Sequence, residues 1–437
     1  MPSADPAPGS AGPLTDPLPG GAFHRFMAEA AHNGTLVVQP RMGFADPARM
    51  RAGLLATRGA AATTVGTLTL DSFTRVGDYA AAARAAAQGH QLNGYPLVSM
   101  PVATTTGMLD GVRGEDFPVQ VRHGSAQPGR IVEALVEAGL DATEGGPVSY
   151  CLPYGRIPLA TSVQAWGETC SRLAELRATG VEPHLESFGG CMLGQLCPPS
   201  LLVAISVLEG MFFRQHGLRS ISLSYAQQTS AAQDEEAVHA LRALAADHLP
   251  DTSWHVVVYA YMGVYPETRS GALALVADAA RLAVRTGAAR LIVKTAAESA
   301  RIPSIAENVT ALETATTAGQ SELRTAPPPS TGVEEEARAL VEAVLGLHDD
   351  LGQALIRAFA RGYLDVPFCL HPDNAGRTRS VISEQGRLEW SRTGSLPLGP
   401  TATAHSTHPL TSSGLMYALH HVKTRYDASA DPLARAS

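Results

Sequence analysis

Lysine is almost absent from this sequence. Only Lys294 and Lys423 are lysines among its 33 basic residues, and arginine provides every other permanent positive charge. The lysine ammonium group is compact and has an adjustable pKa, and the delocalised guanidinium group of arginine reproduces neither property. A lysine retained in such a composition therefore points to a chemical role. Lys294 ends a hydrophobic run and is the candidate.

Basic residues, cysteines and long apolar runs are also scarce, and this argues against several common protein classes. The 33 basic residues stand against 41 acidic ones, a net charge of -8, which disfavours a protein that neutralises phosphate backbones. The five cysteines are odd in number, widely spread and without a CxxC pair, so neither a disulfide framework nor a thiolate zinc site is indicated. The longest apolar run, residues 201–213, contains Glu209 and is too short to span a bilayer. We expect a cytoplasmic protein without nucleic-acid or membrane partners and without a metal site of its own.

The usual phosphate-binding loops are missing as well. No GxGxxG follows a predicted strand and no GxxxxGKS/T occurs, which excludes the common dinucleotide and triphosphate sites. The first 22 residues are rich in Pro, Ala and Gly and lack the basic start and apolar core of a secretion signal. They predict a disordered tail.

From residue 35 to about residue 300, short β-branched runs alternate with helical segments of period near 3.6. This alternation is typical of βα units and a parallel sheet. Eight such runs favour a closed (β/α)8 TIM-type barrel over an open sheet. The predicted strands are residues 35–39, 64–70, 96–100, 119–122, 184–188, 220–225, 255–261 and 291–294, with residues 141–145 as an alternative to 96–100.

The pattern divides the chain into four parts. Residues 1–22 form the tail and residues 23–320 the catalytic barrel. The Pro-rich segment 321–333 predicts a linker, and residues 334–437 form a C-terminal extension. In that extension we expect two helices, near residues 334–347 and 349–362, and an irregular polar region beyond them.

Functional side chains of a barrel cluster where its strands end. Arg41, Arg75 and Arg122 each follow or end a predicted strand, so three guanidinium groups should converge at one mouth. Guanidinium groups bind carboxylates through two parallel hydrogen bonds, which suits a dicarboxylate substrate. The alternative is that each arginine caps a helix or pairs with a local acid.

Three further stretches place polar side chains near strand ends. The Gly- and Pro-rich segment 144–154 contains Glu144, Tyr150 and Tyr154, and it predicts either a site-lining loop or a tight turn with packed tyrosines. Glu186 lies among apolar neighbours and is either functional or part of a structural ion pair. Lys294 is followed four residues later by Glu298, a spacing that also fits an exposed pair at a helix start.

These stretches resemble, in this order, the epsilon subunit of adenosylcobalamin-dependent glutamate mutase, also called methylaspartate mutase. The motifs QPRxG, LNGYP, RHG, TEGGPVSY, FGG…PPS and IVKTxxE carry the resemblance jointly, and each is weak alone. The resemblance covers residues 35–320 well. It extends weakly into the C-terminal region, through residues 365–368 and 373–377.

The resemblance implies a carbon-skeleton mutase that interconverts L-glutamate and L-threo-3-methylaspartate by an adenosylcobalamin radical mechanism. The D-x-H-x-x-G stretch that carries the cobalt ligand is absent here. A separate small cobalamin-binding subunit is therefore implied, which shares the coenzyme with this chain. Two copies of this chain are implied within a heterotetramer, and this chain alone should be inactive.

The resemblance also assigns site residues. The substrate-binding residues it implies are Arg41, Arg75, Arg122, His123, Glu144, Tyr150 and Tyr154. The coenzyme contacts it implies are Gly43, Asn93, Pro153, Tyr265, Lys294, Glu298 and Ile302. Four of these, Glu144, Arg122, Lys294 and Glu298, are the expected catalytic residues.

Two motifs depart from the family pattern. The segment that usually reads REPFGP is LESFGG at residues 185–190, and the one that usually reads HQWMGGFP is YAYMGVYP at residues 259–266, where Tyr265 replaces a Phe. These changes concern the pocket wall and hence substrate tolerance. Two other interpretations stay open: a Schiff-base lyase or aldolase that uses Lys294 as its amine, and a mutase-like scaffold without activity.

Overall fold

A computed structural model describes residues 21–88, 92–153, 155–188, 196–298, 301–399 and 411–430. The predicted tail lies outside the described residues apart from its last two positions. There the first helix, α1 (Ala22–His32), already begins. No helix among the described residues is long and apolar enough to cross a membrane.

Eight parallel strands form the sheet, in the order β1-β8-β7-β6-β5-β4-β3-β2. The backbone N–H of Val38 donates to the carbonyl of Thr63 at 2.9 Å, and Val38 pairs in parallel with Thr64, so β1 also meets the start of β2. The predicted (β/α)8 barrel is confirmed. The strands are β1 (Val37–Gln39), β2 (Gly66–Thr69), β3 (Val119–Arg122), β4 (Ala142–Glu144), β5 (His184–Glu186), β6 (Ser220–Ala226), β7 (Ser253–Tyr259) and β8 (Arg290–Ile292).

Helices connect the strands and cover the outside of the barrel. Their buried faces and the strands share apolar clusters, as the amphipathic pattern of the sequence predicts. The helices are α2 (Pro47–Arg58), α3 (Ser72–Arg75), α4 (Tyr79–Ala87), α5 (Val102–Leu109), α6 (Gly129–Glu137), α7 (Leu159–Ala174), α8 (Pro199–Gln215), α9 (Ala231–His248), α10 (Arg269–Thr286) and α11 (Ile305–Gln320).

The prediction of a strand at residues 96–100 is wrong, and the alternative at 141–145 is the fourth strand. Pro96 has no N–H to offer a sheet, and its carbonyl accepts from both Ser99 and Met100, which closes a turn. Only Tyr95, just before it, touches the sheet, through a single bridge to Leu70. The apolar residues of this segment therefore lie in a turn and do not pair with a strand.

The C-terminal region adds α12 (Val333–Leu345), α13 (Leu351–Arg361), an antiparallel pair β9 (Arg379–Ile382) and β10 (Leu388–Arg392), and α14 (Ser412–Ala430). The two predicted helices are present. The region beyond them is less irregular than expected, because it contains this hairpin and a long helix. Leu340 and Leu355 of α12 and α13 belong to the same buried cluster as the barrel helix α8. The division into barrel, linker and extension stays a prediction.

Helix α1 closes the end of the barrel where the strands begin. Phe23 is fully buried, stacks on His184 at 4.7 Å between ring centroids, and lies under the guanidinium group of Arg290 at 5.0 Å. His184 also stacks on His255 at 5.2 Å, and its two ring nitrogens contact the hydroxyls of Ser220 and Ser222. A histidine-rich layer therefore seals this end of the barrel.

This layer predicts loss of stability in acid. Burial lowers the pKa of His184 and His255 well below the ordinary 6.5, so the unfolded chain takes up protons that the folded chain refuses. Stability should be complete above about pH 6.5 and fall as the pH drops below it. His255→Phe keeps a stacking ring and removes one titrating group. The melting temperature of this variant should therefore fall less between pH 7.5 and 5.5 than that of the native chain. The difference should correspond to the uptake of at most about one proton fewer on unfolding.

Calorimetric or fluorescence melting curves across this pH range test the expectation. His32→Gln, at an exposed position at the end of α1, is the control and should leave the slope unchanged. An equal slope in His255→Phe and the native chain would contradict it.

Candidate active site

Four buried polar side chains end strands on the inner side of the barrel. Arg122 ends β3, Glu144 ends β4, Glu186 ends β5 and Tyr259 ends β7. Each is at most 2% exposed. Their proximity follows from the topology, because parallel strands of a closed barrel deliver their carboxyl ends to one mouth.

Arg122 and Glu144 form the centre of this group. Nη2 of Arg122 lies 2.8 Å from Oε2 of Glu144, and the hydroxyl of Tyr259 donates to the same oxygen at 3.0 Å. The hydroxyl of Tyr150 donates to Oε1. Burial raises the pKa of Glu144, Arg122 opposes this, and Glu186 adds to it. Burial works against the charge of Arg122 too, yet Glu144 and the other neighbours raise its pKa, so the guanidinium group stays charged.

Arg122 also has a donor to spare. Its Nη1 is buried and has no hydrogen-bond partner among the described residues. The guanidinium group lies over the rings of Tyr259 and Phe188, at 5.1 and 5.8 Å from their centroids. A buried donor without a partner costs roughly 1–3 kcal/mol, so the arrangement favours an anionic ligand that accepts from it.

His123 is a neutral side chain beside this centre. Burial, with the nearby Arg75 and Arg122, lowers its pKa to about 3. Its Nδ1 accepts from the backbone N–H of Ser125 at 3.0 Å, so the ring proton must be on Nε2. That Nε2–H is buried and makes no well-formed hydrogen bond in the described part of the chain, although the Glu144 backbone is close enough to favour the protonated ring. The ring therefore offers the site a second donor without adding charge.

Arg75, the last residue of α3, reaches the same strand end. Its Nε donates to the carbonyl of His123 at 3.0 Å. Gly124 has φ +100°, and a β-carbon there would lie 3.1 Å from Cδ of Arg75, so the glycine leaves space for the arginine to lie across it. Arg75 also lines a cavity of about 510 Å³ between the loops after β2 and β3 and helices α6 and α7.

A second cluster, formed by Arg41, Lys294, Glu298 and Tyr265, lies at the ends of β1 and β8. Nζ of Lys294 is 3.6 Å from Oε2 of Glu298 and 4.7 Å above the ring of Tyr265. Nη1 of Arg41 lies 3.9 Å from the same carboxylate oxygen. The Tyr265 hydroxyl is buried and has no partner among the described residues. Unlike Arg75 and Arg122, Arg41 therefore contacts the Lys294 side of the mouth.

The other predicted contacts lie around the mouth. A β-carbon on Gly43 would overlap the carbonyl oxygen of Thr69, so glycine is required where β1 leaves the sheet. Asn93 is exposed, and its Oδ1 accepts from the backbone N–H of Ser72 at 2.9 Å. Pro153 is half-buried and Ile302 is 48% exposed. Tyr154 lies outside the described residues. The binding roles of all these residues remain predictions.

Glu209 was not predicted as a site residue, although it supports the loop after β4. From inside helix α8 it accepts the backbone N–H groups of Val148 and Ser149 at 2.9 Å each, and the Ser149 hydroxyl at 2.8 Å. A β-carbon on Gly146 would overlap its carboxylate. The only signal in the sequence is a charge within the apolar run 201–213, which by itself indicates a break in hydrophobicity.

Tyr259 and Arg290 were likewise missed as parts of the site. The Tyr259 hydroxyl is also within hydrogen-bond distance of Oε1 of Glu186, and Nη2 of Arg290 pairs with Oε2 of Glu186. The sequence left open whether Glu186 is functional or part of a structural ion pair. Its carboxylate is in a buried ion pair with Arg290, and it also contacts Tyr259, which in turn contacts Glu144. Among the described residues, no group of three or more His, Cys, Asp or Glu side chains could hold a metal ion.

Comparison with known proteins relates this chain to one family. A family model described as methylaspartate mutase E chain matches residues 18–415. The glutamate mutase epsilon subunit of Halobacterium salinarum is 31% identical over 348 residues, 76% of this chain and 71% of that protein. The epsilon subunit of Yersinia enterocolitica is 30% identical over 396 residues, 86% of this chain and 81% of that protein. A solved tryptophan synthase from M. tuberculosis overlaps 69% of this chain and 99% of its own, with 13% identity and a TM-score of 0.37.

The support of the loop by Glu209 predicts a contrast between two substitutions. Glu209→Gln keeps a carbonyl oxygen for both backbone N–H groups, whereas Glu209→Leu leaves them buried without an acceptor. We expect the leucine variant to lose roughly 2–5 kcal/mol of stability and the glutamine variant less than half of that. Denaturant unfolding of both variants measures the difference. Equal stabilities would mean that Glu209 does not hold the loop.

Proposed function

We propose, from the premise that this chain belongs to the methylaspartate mutase E chain family, that it is the substrate-binding subunit of a glutamate mutase. The family is one of mutases, and its curated relatives are named glutamate mutase epsilon subunits. The proposed reaction interconverts L-glutamate and L-threo-3-methylaspartate, an isomerisation of the carbon skeleton.

One observation carries the proposal. A buried arginine and a buried glutamate lie side by side at the barrel mouth, and the arginine has a hydrogen-bond donor left without a partner. An α-amino dicarboxylate offers the matching groups: a carboxylate for Nη1 of Arg122 and an ammonium group for Glu144. Arg75 and Arg41, on either side, supply guanidinium groups for the second carboxylate.

The chemistry places two demands on these side chains. The substrate must be held at both ends while a fragment migrates, and bidentate arginine contacts fix carboxylates in place. Neutral His123 donates from Nε2 without adding a charge to the pocket, and Tyr150 keeps Glu144 oriented. Because Arg122, His123, Glu144 and Tyr150 are all buried, reactive species bound there are kept from bulk water.

We propose adenosylcobalamin as the coenzyme, shared with a partner. When bound, it supplies the organic radical that removes a substrate hydrogen atom. The second cluster fits the adenosyl ribose, because the Lys294 ammonium and the partnerless Tyr265 hydroxyl can donate and Glu298 can accept. Gly43, Asn93, Pro153 and Ile302 are the further proposed contacts of the coenzyme.

The proposed partner is a small cobalamin-binding subunit that carries the cobalt ligand. Its support is the absence of a D-x-H-x-x-G stretch from this sequence. It would cover the barrel mouth with the corrin, in a heterotetramer containing two copies of this chain. A cytoplasmic location is proposed for the assembly.

The Schiff-base alternative is less well supported by the surroundings of Lys294. An amine nucleophile must lose its proton, which happens most easily in apolar or cationic surroundings. Lys294 instead lies beside the Glu298 carboxylate and above the Tyr265 ring, and both contacts stabilise the ammonium form. The non-catalytic alternative is also disfavoured, since every arginine and acid expected in the site is present.

The decisive experiment is an assay for 3-methylaspartate formed from L-glutamate, with adenosylcobalamin and a small cobalamin-binding mutase subunit added. We expect product only when all components are present, and no turnover by this chain alone. Turnover by the isolated chain would contradict the two-protein assembly. No product from the complete mixture would overturn the proposed reaction.

Arg122→Lys tests the binding of the substrate carboxylate in that assay. Lysine keeps the charge but loses the planar fork, so we expect a loss of roughly 2–4 kcal/mol in transition-state binding, read as a fall in kcat/KM. Arg214→Lys, which alters an exposed pair with Asp251, is the matched control and should change kcat/KM little. Near-native turnover by Arg122→Lys would exclude Arg122 from substrate binding.

A further inference from the structure

We propose that Tyr259, held from below by the buried ion pair of Glu186 and Arg290, is a positioning residue that orients Glu144 towards the substrate ammonium group. The inference rests on the proposed function. It concerns three side chains that are not among the predicted substrate or coenzyme contacts, and they form a continuous column inside the barrel.

The column runs from the closed end of the barrel to its mouth. Arg290 begins β8 beside helix α1, which closes that end of the barrel, and its Nη2 pairs with Glu186. The Tyr259 hydroxyl joins Oε1 of Glu186 to Oε2 of Glu144, and Glu144 pairs with Arg122. All five side chains are at most 3% exposed, so water does not compete for these contacts.

The lower half of the column is fixed in place. Oε2 of Glu186 also lies within 3.3 Å of Nε2 of Gln120 and Oγ of Ser222. The other guanidinium nitrogen of Arg290 donates to Oε1 of Gln39 and, at 3.1 Å, to Oε1 of Gln120. With its partners on four other strands of the barrel, Glu186 cannot reorient to meet a ligand. It acts through Tyr259.

Tyr259 is the adjustable member because it has one proton and two carboxylate neighbours. The phenol can donate to Glu144 or to Glu186, but not to both at once. Without substrate, donation to Glu144 holds that carboxylate against Arg122. When the ammonium group of the substrate satisfies Glu144, the proton can turn to Glu186, which is already in position to accept it. Glu144 thus stays correctly oriented in both states.

The charges around Glu144 give this arrangement a measurable signature. Its carboxylate faces Arg122 from β3, Tyr150 from the following loop, Glu186 from β5 and Tyr259 from β7. Removing the Tyr259 hydroxyl takes away a donor that lowers the pKa of Glu144. Neutralising Glu186 takes away a negative charge that raises it, and leaves the positive charge of Arg290 uncompensated. The two changes should therefore shift the pKa of Glu144 in opposite directions.

The test measures the dissociation constant of L-glutamate by calorimetry, on the full chain and on the assembled enzyme, from pH 5 to 9. Glu144 must be ionised to hold an ammonium group, so binding weakens as the pH falls through its pKa. We expect Tyr259→Phe to move this acidic limb to higher pH and Glu186→Gln to move it to lower pH, each by about half a unit or more.

Glu182→Gln is the matched control. Glu182 is also fully buried and paired with an arginine, Arg177 at 2.7 Å, but it precedes β5 and makes none of the contacts of the column. It should cost stability without moving the acidic limb. If Glu186→Gln fails to fold, Tyr259→Phe alone decides, because that substitution leaves no buried charge without its partner. A shift of its acidic limb to higher pH supports the proposal.

Two outcomes would overturn the inference. Unshifted limbs in variants that still bind L-glutamate would mean that the column is only structural. Shifts in the same direction would mean that it does not act through Glu144. If the native chain and the assembled enzyme fail to bind L-glutamate at all, the proposed function fails first, and the positioning role fails with it.

Discussion

Charge neutrality inside the barrel is the constraint on which this molecule depends. Two guanidinium groups and two carboxylates are enclosed there, as the pairs Arg122–Glu144 and Arg290–Glu186. Removing one partner of such a pair leaves a buried charge and typically costs about 3–5 kcal/mol. The four residues are therefore coupled, and the register of β3, β4, β5 and β8 must bring the partners of each pair into contact. The barrel geometry and the electrostatics of the site are in this sense one requirement.

The walls of the site follow from the same requirement. Rings rather than water surround the Arg122 guanidinium group, which strengthens its attraction to an anion. The loop after β4 has to pass between Trp166 and Glu209 at close distance, and side chains on Gly145 or Gly146 would collide with these residues. Glycine there reflects packing space, and at Gly145 also a backbone φ of +137°.

Much of this arrangement could be predicted from sequence, for identifiable reasons. Residues 119–122 form a strand with the predicted bounds, since two β-branched valines alternate there with polar residues, a pattern typical of a strand. Arg122 was found because it ends a predicted strand, and Glu144 because it opens the Gly- and Pro-rich loop 144–154. Tyr259 was not, because an aromatic residue at a strand end is indistinguishable from core. Arg290 begins its strand, and its pairing with Glu186 exists only once a chain segment of about a hundred residues has closed into a barrel.

The position of helix α1 at the closed end of the barrel has a consequence for how the chain folds. Phe23 and His24 contact His184, Ser220 and Arg290, partners roughly 160 to 270 positions later in the chain. Contacts of such long range are slow to form, because loop closure must come first. During synthesis the first helix emerges well before β5, β6 and β8 exist. Its apolar face therefore has no packing partner until most of the barrel has been synthesised. We therefore expect helix α1 to dock late in folding, once most of the barrel is present.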